Sequence, residues 1–187
     1  MRGYTLVEIL VVIIITATMS GILVLYSRTS EQQIILFRDQ AKLIGMIFRA
    51  KSLAVTSKTT IIDIEGVPNE IIPCAYGFNF NRSDKTFRIF REFDQNGKNE
   101  NCLTPDLKPN YIYNPGEDMS PEEIQILGEN VEVAAITNLE NIVFIPPEPK
   151  VYINGSEIFT NASIIIETLT GIQKTVKINN FGQITSQ

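Results

Sequence analysis

Histidine and tryptophan are absent from this chain, and only two of its 187 residues are cysteines. Without histidine, the sequence cannot form a His-ligated zinc site, a Ser-His-Asp triad or a Cys-His dyad. The motifs of serine hydrolases and of phosphate-binding glycine loops are missing as well. We therefore expect a protein that is not an enzyme and that needs no cofactor or metal.

Basic residues are also scarce, since 16 Lys and Arg stand against 21 Asp and Glu and give a net charge of −5. Residues 26–58 carry six basic and two acidic side chains, whereas residues 59–187 carry nine basic and eighteen acidic ones. A protein that binds nucleic acid through bulk charge has the opposite sign, so the composition argues against a nucleic-acid partner. One local group of basic residues could still bind DNA, and it contains Arg82, Lys85, Arg88 and Arg91.

An uncharged apolar run dominates the N-terminal part of the chain. Together with the residues in front of it, this run forms a 22-residue stretch, 4–25, in which Glu8 is the only charged residue. As a helix, this stretch is about 33 Å long, which matches a hydrocarbon core of about 30 Å. A core helix of a soluble protein would show polar residues at every third or fourth position. We therefore predict that residues 4–25 span a membrane.

The acidic residue Glu8 lies about one turn inside this predicted helix. A carboxylate in lipid costs several kcal/mol unless its charge is compensated. The carboxylate can be protonated, its side chain can extend to the membrane surface, or a cation from another chain can pair with it. An acid at this depth is therefore a candidate functional residue.

The segment Gly3-Tyr4-Thr5-Leu6-Val7-Glu8, followed at once by the apolar run, resembles the class III signal of type IV pilins and type II secretion pseudopilins. The resemblance implies that a membrane prepilin peptidase cleaves after Gly3 and N-methylates Tyr4. It also implies that Glu8, with Thr5 in the same motif, acts in assembly by pairing with the amine of Tyr4 on a neighbouring subunit. Such a pair neutralises both charges in a medium of low dielectric.

The chain departs from the family pattern at two points. Its leader, residues 1–3, is short, although Arg2 supplies a positive charge for the cytoplasmic side. The proline that the family often has in the outer part of the span is missing, which leaves Gly21, beside Ser20, as the candidate position for a bend in the helix. An ordinary signal peptide or signal anchor is the alternative, with Met19-Ser20-Gly21 as the cleavage site of the former. Apolar residues continue past that site to Leu25, which favours the pilin-like interpretation.

Residues 26–57 contain no proline and one glycine, which predicts that the helix continues as an amphipathic half. Its apolar residues recur at helical spacing in two rows, which we expect to lie side by side as one broad face under a sheet. The first row contains Ile34, Phe37, Ala41, Ile44 and Phe48. The second row contains Leu36, Leu43, Ile47, Ala50 and Ala54.

Residues 58–187 have the pattern of an antiparallel β head. Short apolar and alternating segments between turn signals predict strands at 59–65, 75–81, 86–92, 131–136, 141–145, 163–169, 173–178 and 182–185. Residues 151–156 carry the Asn-Gly signal of a hairpin. Ser120, followed by Pro121 and two acidic residues, predicts at most a short helix or turn that ends near Leu127. The predicted class is therefore α+β, with a long N-terminal helix packed on an antiparallel sheet, as in the pilin fold.

Two further segments resemble the GspH/FimT-like group of minor pilins and pseudopilins. One is the end of the helix, Phe48-Arg49-Ala50-Lys51-Ser52-Leu53-Ala54, followed directly by a strand. The other is the ending of the chain, with Thr175-Val176-Lys177-Ile178 and Phe181-Gly182-Gln183-Ile184.

Both cysteines, Cys74 and Cys102, lie in the predicted head. If the head lies outside the cytoplasm, we expect them to form a disulfide, and two free thiols are the alternative. Residues 94–100 alternate oxygen-bearing side chains around a glycine, as calcium loops do, but Pro105 stands where a calcium loop places its last acid. A turn rich in Asn, Asp and Gly is the commoner explanation of that segment.

The resemblance implies a structural minor pilin or pseudopilin with a leader (1–3), a transmembrane half-helix (4–25), an amphipathic half-helix (26–57) and an extracytoplasmic head (58–187). Its implied partners are other pilin or pseudopilin subunits, the prepilin peptidase and the inner-membrane assembly platform. Its implied location is the bacterial inner membrane, crossed once with the N-terminus inside, and then an extracellular or periplasmic filament. Two alternatives stay open: a pilus-tip adhesin or DNA-uptake subunit, and an anchored binding domain that never assembles.

Overall fold

The computed structural model describes residues 5–56, 60–64, 67–71, 73–93, 111–115, 119–146, 150–157 and 161–187. These residues form one helix and eleven strands, which confirms the predicted α+β class. In chain order the elements are α1 Leu6–Thr56, β1 Thr60–Ile64, β2 Val67–Ile71, β3 Ala75–Asn81, β4 Thr86–Glu92, β5 Met119–Ile126, β6 Val131–Val133, β7 Asn141–Ile145, β8 Lys150–Ile153, β9 Asn161–Thr168, β10 Gln173–Asn179 and β11 Ile184–Ser186.

Helix α1 has 51 residues and includes both the apolar and the amphipathic segment. At 1.5 Å per residue it is about 77 Å long. Its sequence contains no proline, and its two glycines, Gly21 and Gly45, both lie in open space with room for a side chain. The N-terminal part of the helix therefore extends well away from the head, and its segment Leu6–Val24 is not buried.

The strands form three antiparallel sheets. A five-stranded sheet has the order β5-β4-β3-β7-β8, and a four-stranded sheet has the order β11-β10-β9-β6. Strands β1 and β2 pair as a separate hairpin. Among the described strands, both larger sheets therefore have free edges, at β5 and β8 in one and at β11 and β6 in the other.

The main core lies between one face of the outer half of α1 and the two larger sheets. Leu43 and Ile47 of the helix are completely buried there, with Phe78 and Phe144 from the five-stranded sheet and Ile164 from the four-stranded sheet. Burial of one large apolar side chain stabilises a fold by about 1.5–3 kcal/mol. This core therefore fixes the outer half of α1 to the head.

A second, smaller cluster covers the opposite face of the five-stranded sheet. The ring of Phe90 lies over Gly77, where a Cβ atom would collide with it, and Tyr113 packs on Phe90 with 5.1 Å between ring centroids. Tyr111 stacks on Tyr152 at 4.1 Å. Removal from water is the main cause that raises the pKa of both stacked tyrosines above the ordinary value.

Polar contacts tie the helix to the head at several levels. The buried carboxylate of Asp39 accepts the N–H of Gly128 through Oδ2 at 2.6 Å. Gln40 Nε2 donates to the carbonyl of Thr175 at 3.2 Å and to that of Gln187 at 3.3 Å. Lys51 Nζ donates to the carbonyl of Gly182 at 3.1 Å. These contacts fix the head in position along the helix as well as in orientation around it.

The predicted short helix at 120–127 is wrong, because this segment is the edge strand β5. It pairs antiparallel with β4, with Ile89 opposite Glu123 and Arg91 opposite Met119. Three β5 residues, including Pro121, therefore stand opposite one residue of β4. Proline lacks an N–H, so it is tolerated at such a bulge on an edge strand.

Candidate assembly surface on the N-terminal helix

Thr5 and Glu8 form a reciprocal cap at the N-terminus of α1. The N–H and Oγ1 of Thr5 both donate to Glu8 Oε2 at 2.9 Å, and the N–H of Glu8 donates to Thr5 Oγ1 at 3.3 Å. This is the capping box, in which the first and fourth residues satisfy each other's free backbone donors. An acid at this end of a helix also interacts favourably with the helix dipole. Glu8 therefore has a hydrogen-bond partner in its own chain, Thr5, which its charge alone does not reveal.

The cap leaves part of the Glu8 carboxylate available. All bonds from Thr5 reach Oε2, and Oε1 accepts no hydrogen bond from any described residue. The carboxylate is exposed on the helix surface, so a cation from outside the chain can approach Oε1 while the cap stays closed. The predicted cleavage and methylation residues, Gly3 and Tyr4, lie outside the described residues.

The segment Leu6–Val24 is long and apolar enough to cross a membrane, with a mean hydropathy of 2.5, and none of it is buried. Its three hydroxyl side chains are bonded within the helix. Thr16, Thr18 and Ser20 each donate a hydroxyl proton to a backbone carbonyl four residues earlier, at 2.8–3.0 Å. Side chains bonded in this way carry no unmet donor into an apolar medium.

The two apolar rows predicted to share one face diverge in the structure. The second row is buried against the head, from Leu36 to Ala54. In the first row Ile34, Phe37 and Phe48 are exposed by 68%, 54% and 52%. At about 100° per residue, these three lie roughly 120–180° around the helix from Leu43, the centre of the buried face. The prediction of one broad face under a sheet is therefore wrong for these three residues, whereas Ile44 of the same row packs against the core.

These exposed residues form a surface that we call the outer stripe, made of Ile34, Phe37, Ala41, Phe48 and Val55. The cations of the helix lie beside it, and their partners belong to the same chain. Arg38 and Lys42 lie 3.5 and 3.6 Å from Asp39, and Arg49 lies 2.8 Å from Glu123. The outer stripe is therefore an apolar continuation of the segment Leu6–Val24 along α1. The head touches it at Phe37, where Lys174 Nζ of β10 lies 4.5 Å from the ring centroid.

The basic residues considered for DNA binding all have partners in the head. Arg82 donates to backbone carbonyls after β6, including one at 2.9 Å on Ala134. Lys85 lies 3.7 Å from a β6 carboxylate, and Arg88 lies 5.3 Å from the ring centroid of a tyrosine and 2.9 Å from a threonine hydroxyl. Arg91 is engaged as well. All four side chains are thus engaged within the chain itself.

The two cysteines can be placed only in part. Cys74 is buried and disulfide-bonded. Cys102, the other cysteine of the sequence, lies outside the described residues, so the Cys74–Cys102 pairing stays a prediction. The segment 94–100, considered for calcium, lies outside them too.

In comparisons with known proteins, no family model, no curated protein and no solved structure matches this chain.

Proposed function

We propose that the protein is a structural subunit of the type IV pilin and type II secretion pseudopilin class, anchored in the inner membrane before it joins a filament. The observation that carries the proposal is the uncovered surface of α1. Its first 19 residues, Leu6–Val24, are not buried, and the outer stripe extends this surface along the half of α1 whose other face packs against the head. Apolar surface of this extent calls for lipid, for other helices, or for each in turn.

The arrangement supports a filament subunit over an anchored domain that never assembles. A simple anchor needs lipid contact over about 20 residues, and it gives no reason for exposed apolar residues farther along the helix. Phe48 and Val55 lie 24 and 31 residues beyond Val24, which places them about 36 and 46 Å along the helix from the end of the apolar segment. Neighbouring helices of the same kind can cover them.

The head supports a location outside the cytoplasm, because disulfides such as that of Cys74 persist in oxidising compartments. It gives little support to DNA uptake, since the four candidate cations already have protein partners. The proposed partners are therefore other subunits of the same class, the prepilin peptidase and the assembly platform.

Mass spectrometry of the mature N-terminus tests the processing step. We expect a chain that begins at Tyr4 and carries one added methyl group on its amine, when the protein is purified from a cell with a prepilin peptidase. The same cell without the peptidase is the control and should yield the uncleaved chain. An intact N-terminus in both cells would support a plain anchor, and cleavage near Gly21 would support an ordinary signal peptide.

Substitution of the outer stripe tests its role in assembly. We expect Phe48→Gln with Val55→Gln to reduce incorporation into filaments by at least tenfold, because each buried side chain contributes about 1.5–3 kcal/mol to a contact and 1.4 kcal/mol is a factor of about ten. Both residues are exposed in the single chain, so its thermal midpoint should stay nearly unchanged. Incorporation is measured as the ratio of subunit in the sheared filament fraction to subunit in the membrane.

The matched control is Ile136→Gln, since Ile136 is 70% exposed but lies in a head loop. Its incorporation should equal that of the unchanged chain. If the stripe variant were incorporated as well as the unchanged chain, the outer stripe would not be part of the interface between subunits.

A further inference from the structure

We propose that the turn between β9 and β10 rests in the lipid headgroup layer of the bilayer that α1 crosses. We call residues 169–171 the proximal turn. This inference rests on the membrane span in the proposed function, and it adds a second contact between the protein and the lipid. It is carried by where the turn lies along the helix and by what the turn exposes.

The proximal turn is fixed to the helix at a known level. Thr170 Oγ1 donates to Oε1 of Gln32 at 2.8 Å. The turn itself is closed by bonds from Gly171 N–H to the carbonyl of Thr168 at 2.9 Å and from Thr168 N–H to the carbonyl of Ile172 at 2.9 Å. Gly171 has a φ of 85°, a conformation suited to glycine. The turn is thus held in one place beside α1.

That place is close to the end of the apolar segment. Gln32 is eight residues beyond Val24, or about 12 Å along the helix axis. Helical side chains lean toward the N-terminus, which brings the contact with Thr170 nearer still. The headgroup layer extends roughly 5–8 Å beyond the hydrocarbon, and a helix tilt of about 20° lowers a head on its side by a few ångströms more. The turn and its side chains extend over the few ångströms that remain between the level of Gln32 and the headgroup layer.

The composition of the proximal turn suits a lipid surface better than water. Hairpin turns favour Gly, Asn and Asp, yet Leu169 stands at the tip and is 68% exposed. Residues 168–173 carry no charge, although the head is strongly acidic. Tyr26, exposed just past the apolar segment, is of the residue type that concentrates at membrane surfaces. The turn therefore joins the interfacial level that Tyr26 marks.

Such a contact would steady the head on the membrane before assembly. The bilayer would then hold the subunit at two points, the span and the tip of the four-stranded sheet. The second contact must break when the subunit leaves the membrane. Leu169 is thus a contact of the membrane-bound state, and the outer stripe is a contact of the assembled state.

Single tryptophans can report both contacts, because the chain has no tryptophan of its own. The full-length variants Leu169→Trp, Ile14→Trp and Phe181→Trp are reconstituted into phosphatidylcholine vesicles with brominated acyl chains, which quench nearby indoles. Phe181 is the matched control, since it is 76% exposed and its neighbour Gly182 contacts Lys51. That contact lies 19 residues beyond Gln32, or about 28 Å farther from the membrane. Ile14 lies in the span and reports insertion.

We expect quenching of the indoles at positions 14 and 169, with a shift of both emission maxima to shorter wavelength than in detergent, and no quenching at position 181. Quenching at position 14 alone would overturn the inference and leave the membrane span intact. Quenching at all three positions would overturn it as well, because the head would then lie flat on the bilayer. If the indole at position 14 were not quenched, both the membrane span and the contact of the proximal turn with lipid would be contradicted.

Discussion

Glu8→Ala is expected to abolish filament assembly while cleavage after Gly3 continues. The variant loses both the cap from Thr5 and the charge that we propose pairs with the amine of Tyr4 on a neighbouring subunit. Loss of one partner from a buried ion pair costs about 3–5 kcal/mol, which corresponds to at least a hundredfold drop in incorporation. The measurement is again the ratio of subunit in the sheared filament fraction to subunit in the membrane.

Two further variants separate the cap from the charge. Glu8→Gln keeps a side-chain acceptor that can close a capping box but removes the charge. Thr5→Ala keeps the charge but removes the cap, at a cost of about 0.5–2 kcal/mol to the helix end. If cross-subunit pairing dominates, Glu8→Gln should fail to assemble and Thr5→Ala should assemble in reduced amount. The reverse order would mean that Glu8 acts mainly as a cap.

Asp39→Ala is expected to destabilise the head by about 2–3 kcal/mol. The substitution removes the carboxylate that accepts the Gly128 N–H. Because the Asp39 side chain is completely buried, the donor is left without its charged partner. Arg38 and Lys42 lose an ion pair too, but both are partly exposed, so water compensates them. The measurement is thermal unfolding of the full-length chain in detergent, followed by circular dichroism.

The control for this prediction is Glu132→Ala. Glu132 is more than half exposed and pairs with Lys85 at 3.7 Å, so its loss should change stability by less than about 0.5 kcal/mol. Asp39→Asn keeps an acceptor for the Gly128 N–H and should fall between the two. A midpoint for Asp39→Ala equal to that of Glu132→Ala would contradict the role assigned to the buried carboxylate.

The strands predicted best are those whose limits are marked locally. The predicted ranges 75–81, 86–92 and 141–145 match β3, β4 and β7, because turn residues bound each apolar or alternating run. Strand β5 was mispredicted because Ser120 and Pro121 are typical of a helix start, while pairing with β4 decides the conformation. Local propensity gave way there to a contact between distant parts of the chain.

The candidate site shows the same division between local and distant information. Glu8 stands out in the sequence, and its cap could have been found from the spacing of Thr5 and Glu8 alone. Asp39 gives no such signal, since a single acid in an amphipathic helix has the pattern of a solvated residue. Its partner, Gly128, is 89 residues away in the chain. The outer stripe was visible as spacing, but only the placement of the head shows which apolar row stays uncovered.

The hydroxyls of Thr16, Thr18 and Ser20 bear on how the N-terminal segment could move between environments. Each is already paired with a carbonyl of its own helix, so none must exchange partners when the surroundings change. A transfer from acyl chains to a bundle of protein side chains would then break no polar bond in the segment from Leu6 to Val24. Apart from the charge of Glu8, the free energy of extraction would then depend on how well the helices fit one another, which would make the step sensitive to small steric changes.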